Sequence, residues 1–217
     1  MDIYASDEEK VEALKKWWKE NGRSLIVGVV LGLAAVFGWR GWVQHQHDQA
    51  EQASVLYSEA MAAVERQDAE AALQRIQVVR QQFPDSAYAA FAALAAARLE
   101  VAGGDTEAAM GHLRWALDHA PLEAVAHVAR LRLARVLLAE DAATAALDLV
   151  SDVGAEGAFL AEYEELRGDA YRVRGQADKA RAAYENALSA LQLGSSKRSL
   201  IEMKLDGVSV GARESRS

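Results

Sequence analysis

The stretch S-L-I-V-G-V-V-L-G-L-A-A-V-F-G-W-R-G-W-V, residues 24–43, decides how the rest of the chain is read. From Ser24 to Trp39 it carries no charge, and Arg40, whose stem can snorkel, extends it to about 20 residues. At about 1.5 Å rise per residue such a helix is roughly 30 Å long, the thickness of a hydrocarbon core. Trp17 and Trp18 precede the run, and Trp39 and Trp42 close it. Four of the five tryptophans therefore stand where the aromatic belts of a bilayer lie. A buried core helix has no need of that bracketing. A cleaved signal fits no better, because the flank is long and of mixed charge, the run is too long for a signal core, and no A-x-A site follows. The segment reads as a single-pass anchor.

The flanks set an expected orientation. Lys10, Lys15, Lys16, Lys19 and Arg23 precede the span, whereas after Arg40 the next basic residue is Arg66. The positive-inside bias then keeps residues 1–23 cytoplasmic and sends residues 44–217 across, into the periplasm if the host is a bacterium. Within 1–23, S-D-E-E (Ser6 to Glu9) reads as a capping box, with Val11, Leu14 and Trp18 as one face of a short amphipathic helix that Asn21-Gly22 ends. Inside the span, Gly28, Gly32 and Ala35 share a face at GxxxG spacing, which lets two backbones approach closely. The same motif also occurs in spans that pack against nothing specific.

Bulk properties bound what lies beyond. The chain has 217 residues, 2 prolines, 15 glycines, no cysteine and a mean hydropathy near zero (−0.10), so it is helix-rich and not polytopic. Residues 1–43 hold six of the 24 Lys/Arg and six of the 32 Asp/Glu, which leaves 18 bases against 26 acids in residues 44–217. So acidic a region repels phosphate backbones, and nucleic acid is excluded as an expected partner. Without cysteine there is no disulfide, thiolate zinc site or thiol nucleophile.

Past Gln44 alanine-rich helical runs alternate with short breaks at Gln67-Asp68, Gly104-Asp105, Glu140-Asp141 and Gly175-Gln176, a period close to that of helix-hairpin solenoids. Five residues after each break comes a small residue (Ala72, Ala109, Ala145, Ala180), and four further on a larger one (Ile76, Leu113, Leu149, Tyr184). Pro84 and Pro121 stand 17 residues past the first two breaks, where they end a second helix. In R-G-D-A-Y-R-V-R-G-Q-A-D-K-A-R-A-A-Y-E-N-A-L, residues 167–188, Gly168, Tyr171, Gly175, Ala180, Tyr184 and Ala187 stand as in a tetratricopeptide repeat. The other units depart from it, with Ala63 and Glu100 in place of Tyr171 and Asp152 where alanine is expected. Leu200, Ile201, Met203 and Leu205 in the segment from Ser195 form the expected closing helix. The expected fold is all-α: a transmembrane helix at 24–43, an α-solenoid of about four degenerate tetratricopeptide-like hairpins with a C-terminal capping helix at 44–208, and a disordered tail at 209–217.

Motifs for catalysis are absent: no G-x-S-x-G, H-E-x-x-H, P-loop or G-x-G-x-x-G occurs. H-Q-H-D at 45–48 spreads its histidines over different helix faces, and His112, His119 and His127 read as packing or surface residues. The expectation is a non-enzyme with no cofactor and no metal. The repeat's usual first-helix positions give a candidate groove of Ser54, Tyr57 and Met61; Phe91, Leu94 and Arg98; His127 and Arg130; and Glu162, Glu165, Asp169 and Arg172. These residues either hold an extended or helical polypeptide, running from an apolar and basic end to an acidic one, or merely pack on neighbours and face water.

W-W-K before the span, the glycine-rich span, four hairpins and a closing I-E-M-K-L-D together resemble the ancillary SecYEG translocon subunit (YfgM-like) family over nearly the whole chain. The resemblance implies an inner-membrane protein with a periplasmic repeat domain. It implies association with the SecYEG translocon and with PpiD, a membrane-anchored periplasmic chaperone of the prolyl-isomerase type. The implied role is to help newly translocated, unfolded secretory polypeptides reach periplasmic folding factors, with no catalytic residues. A structural scaffold of another envelope assembly and a stand-alone periplasmic holdase are the alternatives.

Overall fold

A computed structural model of the chain describes residues 7–151, 157–192 and 194–214, and among these it contains helices only. The chain divides into two compact units, Met1–Glu51 and Gln52–Ser217. The first helix, α1 (Asp7–Glu65), contributes to both.

In the first unit α1 does not stop at Asn21-Gly22, where the sequence suggested an end. Asn21 Nδ2 donates to the Trp17 carbonyl at 3.1 Å, a bond made within the helix instead of a terminating one. Gly22 lies against the Trp18 indole, where a Cβ would come within 3.1 Å of the ring. One helical glycine costs only about 1 kcal/mol, too little to break a helix whose apolar run continues beyond it. Ser6 of the expected capping box lies outside the described residues. The apolar run is bare: none of its most hydrophobic window is buried by protein, and Leu31 and Phe37 are 63% and 66% exposed. This helix is long and apolar enough to cross a membrane, and apolar side chains on all its faces suit lipid rather than water.

In the second unit the chain forms four antiparallel hairpins. The last turns of α1 pair with α2 (Ala69–Gln82), α3 (Ala87–Gly103) with α4 (Thr106–His119), α5 (Glu123–Ala139) with α6 (Ala143–Ser151), and α7 (Leu160–Val173) with α8 (Ala177–Ala190). Helix α9 (Arg198–Glu214) closes the array.

One turn is repeated four times. At Gln67, Gly104, Asp141 and Gly175 the backbone enters the left-handed region, with φ of 60°, 87°, 58° and 69°. The next residue's N–H reaches back five positions: Asp68 to Ala63, Asp105 to Glu100, Ala142 to Leu137 and Gln176 to Tyr171, at 2.8–3.1 Å. The left-handed residue itself donates three positions back in every case. This is the Schellman closure of a helix, and it satisfies carbonyls that the helix end leaves open. In the first two turns the following aspartate also caps the next helix, Asp68 accepting from Ala71 N–H at 3.0 Å and Asp105 from Ala108 N–H at 2.8 Å.

The third turn corrects the expected register by one residue. Its left-handed residue is Asp141, not Glu140, so the small and large positions of that unit are Ala146 and Val150. Both are buried, at 1% and 0% exposure, while Ala145 faces solvent and Leu149 is half-buried. The position next expected to hold alanine falls in residues 152–156, outside the described residues. Alanine wins at the remaining closing positions because two helices can meet there only over a small side chain. Thus Ala90, Ala93 and Ala97 of α3 face the core shared with α4 and α5, while Ala89, Ala92 and Ala96 face the core of α1 and α2. In the fourth hairpin the gap is narrower still, and Gly168 lies under the Tyr184 ring.

The closing helix buries Ile201, Leu205 and Val208 against Ala180, Tyr184 and Ala187 of α8, one face at i, i+4, i+7. Leu200 and Met203 of the expected closing helix lie off this stripe and are 44% and 64% exposed.

Candidate functional site

The backbones of the first helices of successive hairpins approach closely, α3 to α5 and α5 to α7, whereas α2 and α4 meet mainly through the side chains of Arg80, His112 and Trp115. The continuous inner layer of the array is therefore its first helices, and the sequence-derived groove residues lie on them.

At one end Tyr57 of α1 and Tyr88 and Phe91 of α3 form an aromatic cluster with ring centroids 5.8–6.3 Å apart. Met61 packs on the same core, and Ser54 is half-buried nearby on α1. Leu94 follows one turn after Phe91, nearly buried, and Arg98 stands exposed one turn further. Leu94 and Arg98 border an apolar slot of about 230 Å³ between α3 and α5, floored also by Val101 and Val136 and rimmed by Arg132 and Arg135.

The corrected register changes the third unit. Counted from Asp141, the equivalents of Phe91, Leu94 and Arg98 are Val128, Leu131 and Arg135, each one or more residues past the expected His127 and Arg130. His127 has another task. Its Nδ1 shares a 2.8 Å hydrogen bond with the Tyr163 hydroxyl, its ring stacks on Phe159 at 4.9 Å, and its Nε2 lies 3.7 Å from Glu123. It ties α5 to α7. Arg130 is half-buried on α5.

The acidic end of the face is already partnered. Lys204 of α9 donates to Glu165 at 2.6 Å and to Asp169 at 2.7 Å, and Lys197 pairs with Glu162. Asp169 also accepts from the Tyr184 hydroxyl at 2.7 Å, and burial together with this bond raises the tyrosine's pKa. Arg172 alone of that group is exposed. These lysines escaped the sequence reading, although their spacing of two helical turns matches the carboxylates they meet.

Between α2 and α4 a second, polar cavity of about 550 Å³ is organised by Arg80. Its guanidinium lies 4.3 Å from the centre of the Trp115 ring, which in turn stacks on His119. Arg80 Nη1 lies 2.7 Å from His112 Nδ1. Arginine can only donate, so His112 accepts at Nδ1 and carries its proton at Nε2, 3.9 Å from Glu100. Burial, and then the Arg80 charge, hold the His112 pKa below its ordinary value.

The first helices thus carry half-buried aromatic side chains, an apolar slot and exposed arginines. A model described as a tetratricopeptide repeat-like domain matches residues 15–210. The chain is 33% identical over 212 residues to a protein of Escherichia coli (strain K12) named ancillary SecYEG translocon subunit, covering 97% of this chain and all of that one. Proteins of the same name from Haemophilus influenzae (34% over 203 residues, 93% and 97% covered) and Neisseria gonorrhoeae (30% over 218 residues, 96% and 100% covered) are similarly related. Among solved structures, a MamA RS-1 ArsTM double mutant superposes with a TM-score of 0.61 at 18% identity, over 76% of this chain and 87% of that one, a likeness of fold alone. With repeats, apolar anchor helix and full-length relatives in agreement, the chain belongs to the ancillary SecYEG translocon subunit family, built on a tetratricopeptide repeat-like domain.

Proposed function

We propose that the protein is a non-catalytic, membrane-anchored adaptor of the Sec translocon. Its N-terminus is cytoplasmic and its array periplasmic, as the lysines before the span favour. The array passes emerging secretory polypeptides to periplasmic chaperones, among which a prolyl-isomerase-type chaperone anchored in the same membrane is the expected partner. The observation that carries this reading is the joining of two features in one chain. A bare apolar helix suits a bilayer, and a hairpin array carries half-buried aromatic and exposed basic side chains on its inner layer. Anchoring holds such a layer at high effective concentration beside other membrane proteins, so modest contacts suffice.

The test is purification of the full-length protein from its own membranes in mild detergent, followed by identification of what accompanies it. Translocon subunits with a periplasmic chaperone support the adaptor. Division or other secretion components in their place move the reading to an envelope scaffold. A soluble 44–217 fragment that suppresses aggregation of unrelated clients, with no membrane partner for the whole protein, favours a holdase.

A further inference from the structure

The slot between α3 and α5 has a composition that fits one class of ligand. Its floor is apolar, with Leu94 nearly buried and Val101 47% exposed. At about 230 Å³ it is smaller than the ~300–1,000 Å³ of pockets that enclose whole small molecules, so its size suits one side chain. Arg98, Arg132 and Arg135 stand around it, all exposed, and none is in an ion pair or hydrogen bond among the described residues.

Elsewhere in the array Arg80, Arg167, Lys197, Arg198 and Lys204 are engaged in ion pairs, hydrogen bonds or ring contacts. Residues 44–217 carry 26 acids for 18 bases, of the 32 and 24 in the chain, so carboxylates are in excess. Three unengaged guanidiniums at one apolar opening in so acidic a region form a local site of opposite charge. Guanidinium forks match carboxylates in shape as well as in sign. The acidic remainder of the surface repels an acidic partner, which confines such a partner to this opening.

We propose that the α3–α5 slot anchors an acidic polypeptide segment, with one leucine- or phenylalanine-sized side chain in the slot and flanking Asp or Glu carboxylates on Arg98, Arg132 and Arg135. This deepens the adaptor reading and rests on the inner layer being the face that meets polypeptides. Binding at the slot is selective for acidic flanks and weakens with salt.

The experiment uses the full-length protein in lipid nanodiscs and fluorescence anisotropy of a short fluorescein-labelled peptide with leucine between glutamates. Two control peptides replace the glutamates by lysine or the leucine by serine. The wild type is expected to bind the first peptide about tenfold tighter than either control, a difference within reach of a few charge-assisted contacts. The triple variant Arg98→Gln, Arg132→Gln, Arg135→Gln is expected to bind the glutamate and lysine peptides alike, while Arg174→Gln, an exposed change just past the end of α7, binds as wild type does. Far-ultraviolet circular dichroism confirms that each variant keeps its helices, as expected for exposed positions. Equal binding of glutamate and lysine peptides by the wild type, or an undiminished preference in the triple variant, overturns the proposal. Copurification of translocon subunits, measured on the same proteins, separates the two readings. A retained peptide preference without any translocon sustains the slot and removes the adaptor, whereas translocon association without the preference removes the slot alone.

Discussion

Replacing Gly168 by alanine tests the closest helix approach in the array. A Cβ built there lies 2.5 Å from Tyr184 Cε1, 2.6 Å from Cδ1 and 2.9 Å from Cζ. Ordinary carbon contacts are about 3.5–4.0 Å, so the ring must retreat by about 1 Å. It has little freedom to do so: Tyr184 is fully buried, and its hydroxyl is bound to Asp169, which Lys204 also holds. Overpacking of this kind costs about 1–3 kcal/mol, and disturbing the hydroxyl bond about 1 more. Alanine's better helix propensity returns about 1 kcal/mol. A net loss of about 1–3 kcal/mol follows. Gly111, exposed in α4 with nothing within 4 Å of its virtual Cβ, provides the opposite case, in which the same substitution keeps only the propensity gain. Hydrogen exchange by mass spectrometry on the full-length protein reads both locally, since hairpins of a solenoid open in neighbouring groups. Amides of α7 and α8 are expected to exchange about ten- to a hundredfold faster in Gly168→Ala, and those of α4 a few-fold slower in Gly111→Ala. If Gly168→Ala protects its amides as well as wild type, the tight contact with Tyr184 is not a real constraint and the reasoning fails.

Two further outcomes follow from side chains that fasten neighbouring elements. Arg167 donates from Nε and Nη2 to the Val150 carbonyl at 3.1 and 2.7 Å, and from Nη2 to Ser151 at 3.2 Å, closing the end of α6. Lysine offers no such fork, so Arg167→Lys is expected to lose about 1.5–3 kcal/mol in urea unfolding, and an unchanged midpoint refutes the role. The His112 pKa is held below its ordinary 6.5 in the folded protein, so protons bind the unfolded chain more readily. The stability this contributes is complete above that value and shrinks as pH falls below it, with Glu100 at 3.9 Å opposing the effect of Arg80. Between about pH 7.5 and 5.5 the wild-type Tm is expected to fall more than that of His112→Gln. Parallel curves exclude the linkage.

What the sequence made legible is what recurs in it. Glycines at 104 and 175, prolines at 84 and 121 and alanines at the closing positions report backbone and steric demands that only a few residue types meet, so the hairpins could be counted directly. The third turn was misplaced by one residue because Asp141, not a glycine, takes the left-handed conformation there, with φ 58°. Asp tolerates that region better than most residues but does not mark it as glycine does. The slip moved His127 and Arg130 into the candidate groove and left Arg135 out. Partnerships distant in sequence were not legible at all: Lys204 meets Glu165 and Asp169, and Arg80 meets His112, across separations of 32 to 39 residues. The slot rimmed by Arg98, Arg132 and Arg135 appears only when two helices from different hairpins are set side by side. The continuity of α1 through Asn21-Gly22 was missed for the converse reason, a local breaker signal overridden by the strong apolar helix that follows it.

The closing helix also dictates how such a chain can be lengthened. Ile201, Leu205 and Val208 cover the last hairpin while Lys197 and Lys204 neutralise its carboxylates, so α7, α8 and α9 form one terminal cassette. A hairpin inserted between α8 and α9 would strand Glu165 and Asp169 beside a new neighbour lacking the lysines, and would strip the apolar stripe from α9. A hairpin inserted ahead of α5 leaves the cassette whole, together with the bonds that tie α5 and α6 to α7. Growth or engineered extension of this array is therefore tolerated in its interior and refused at its tail.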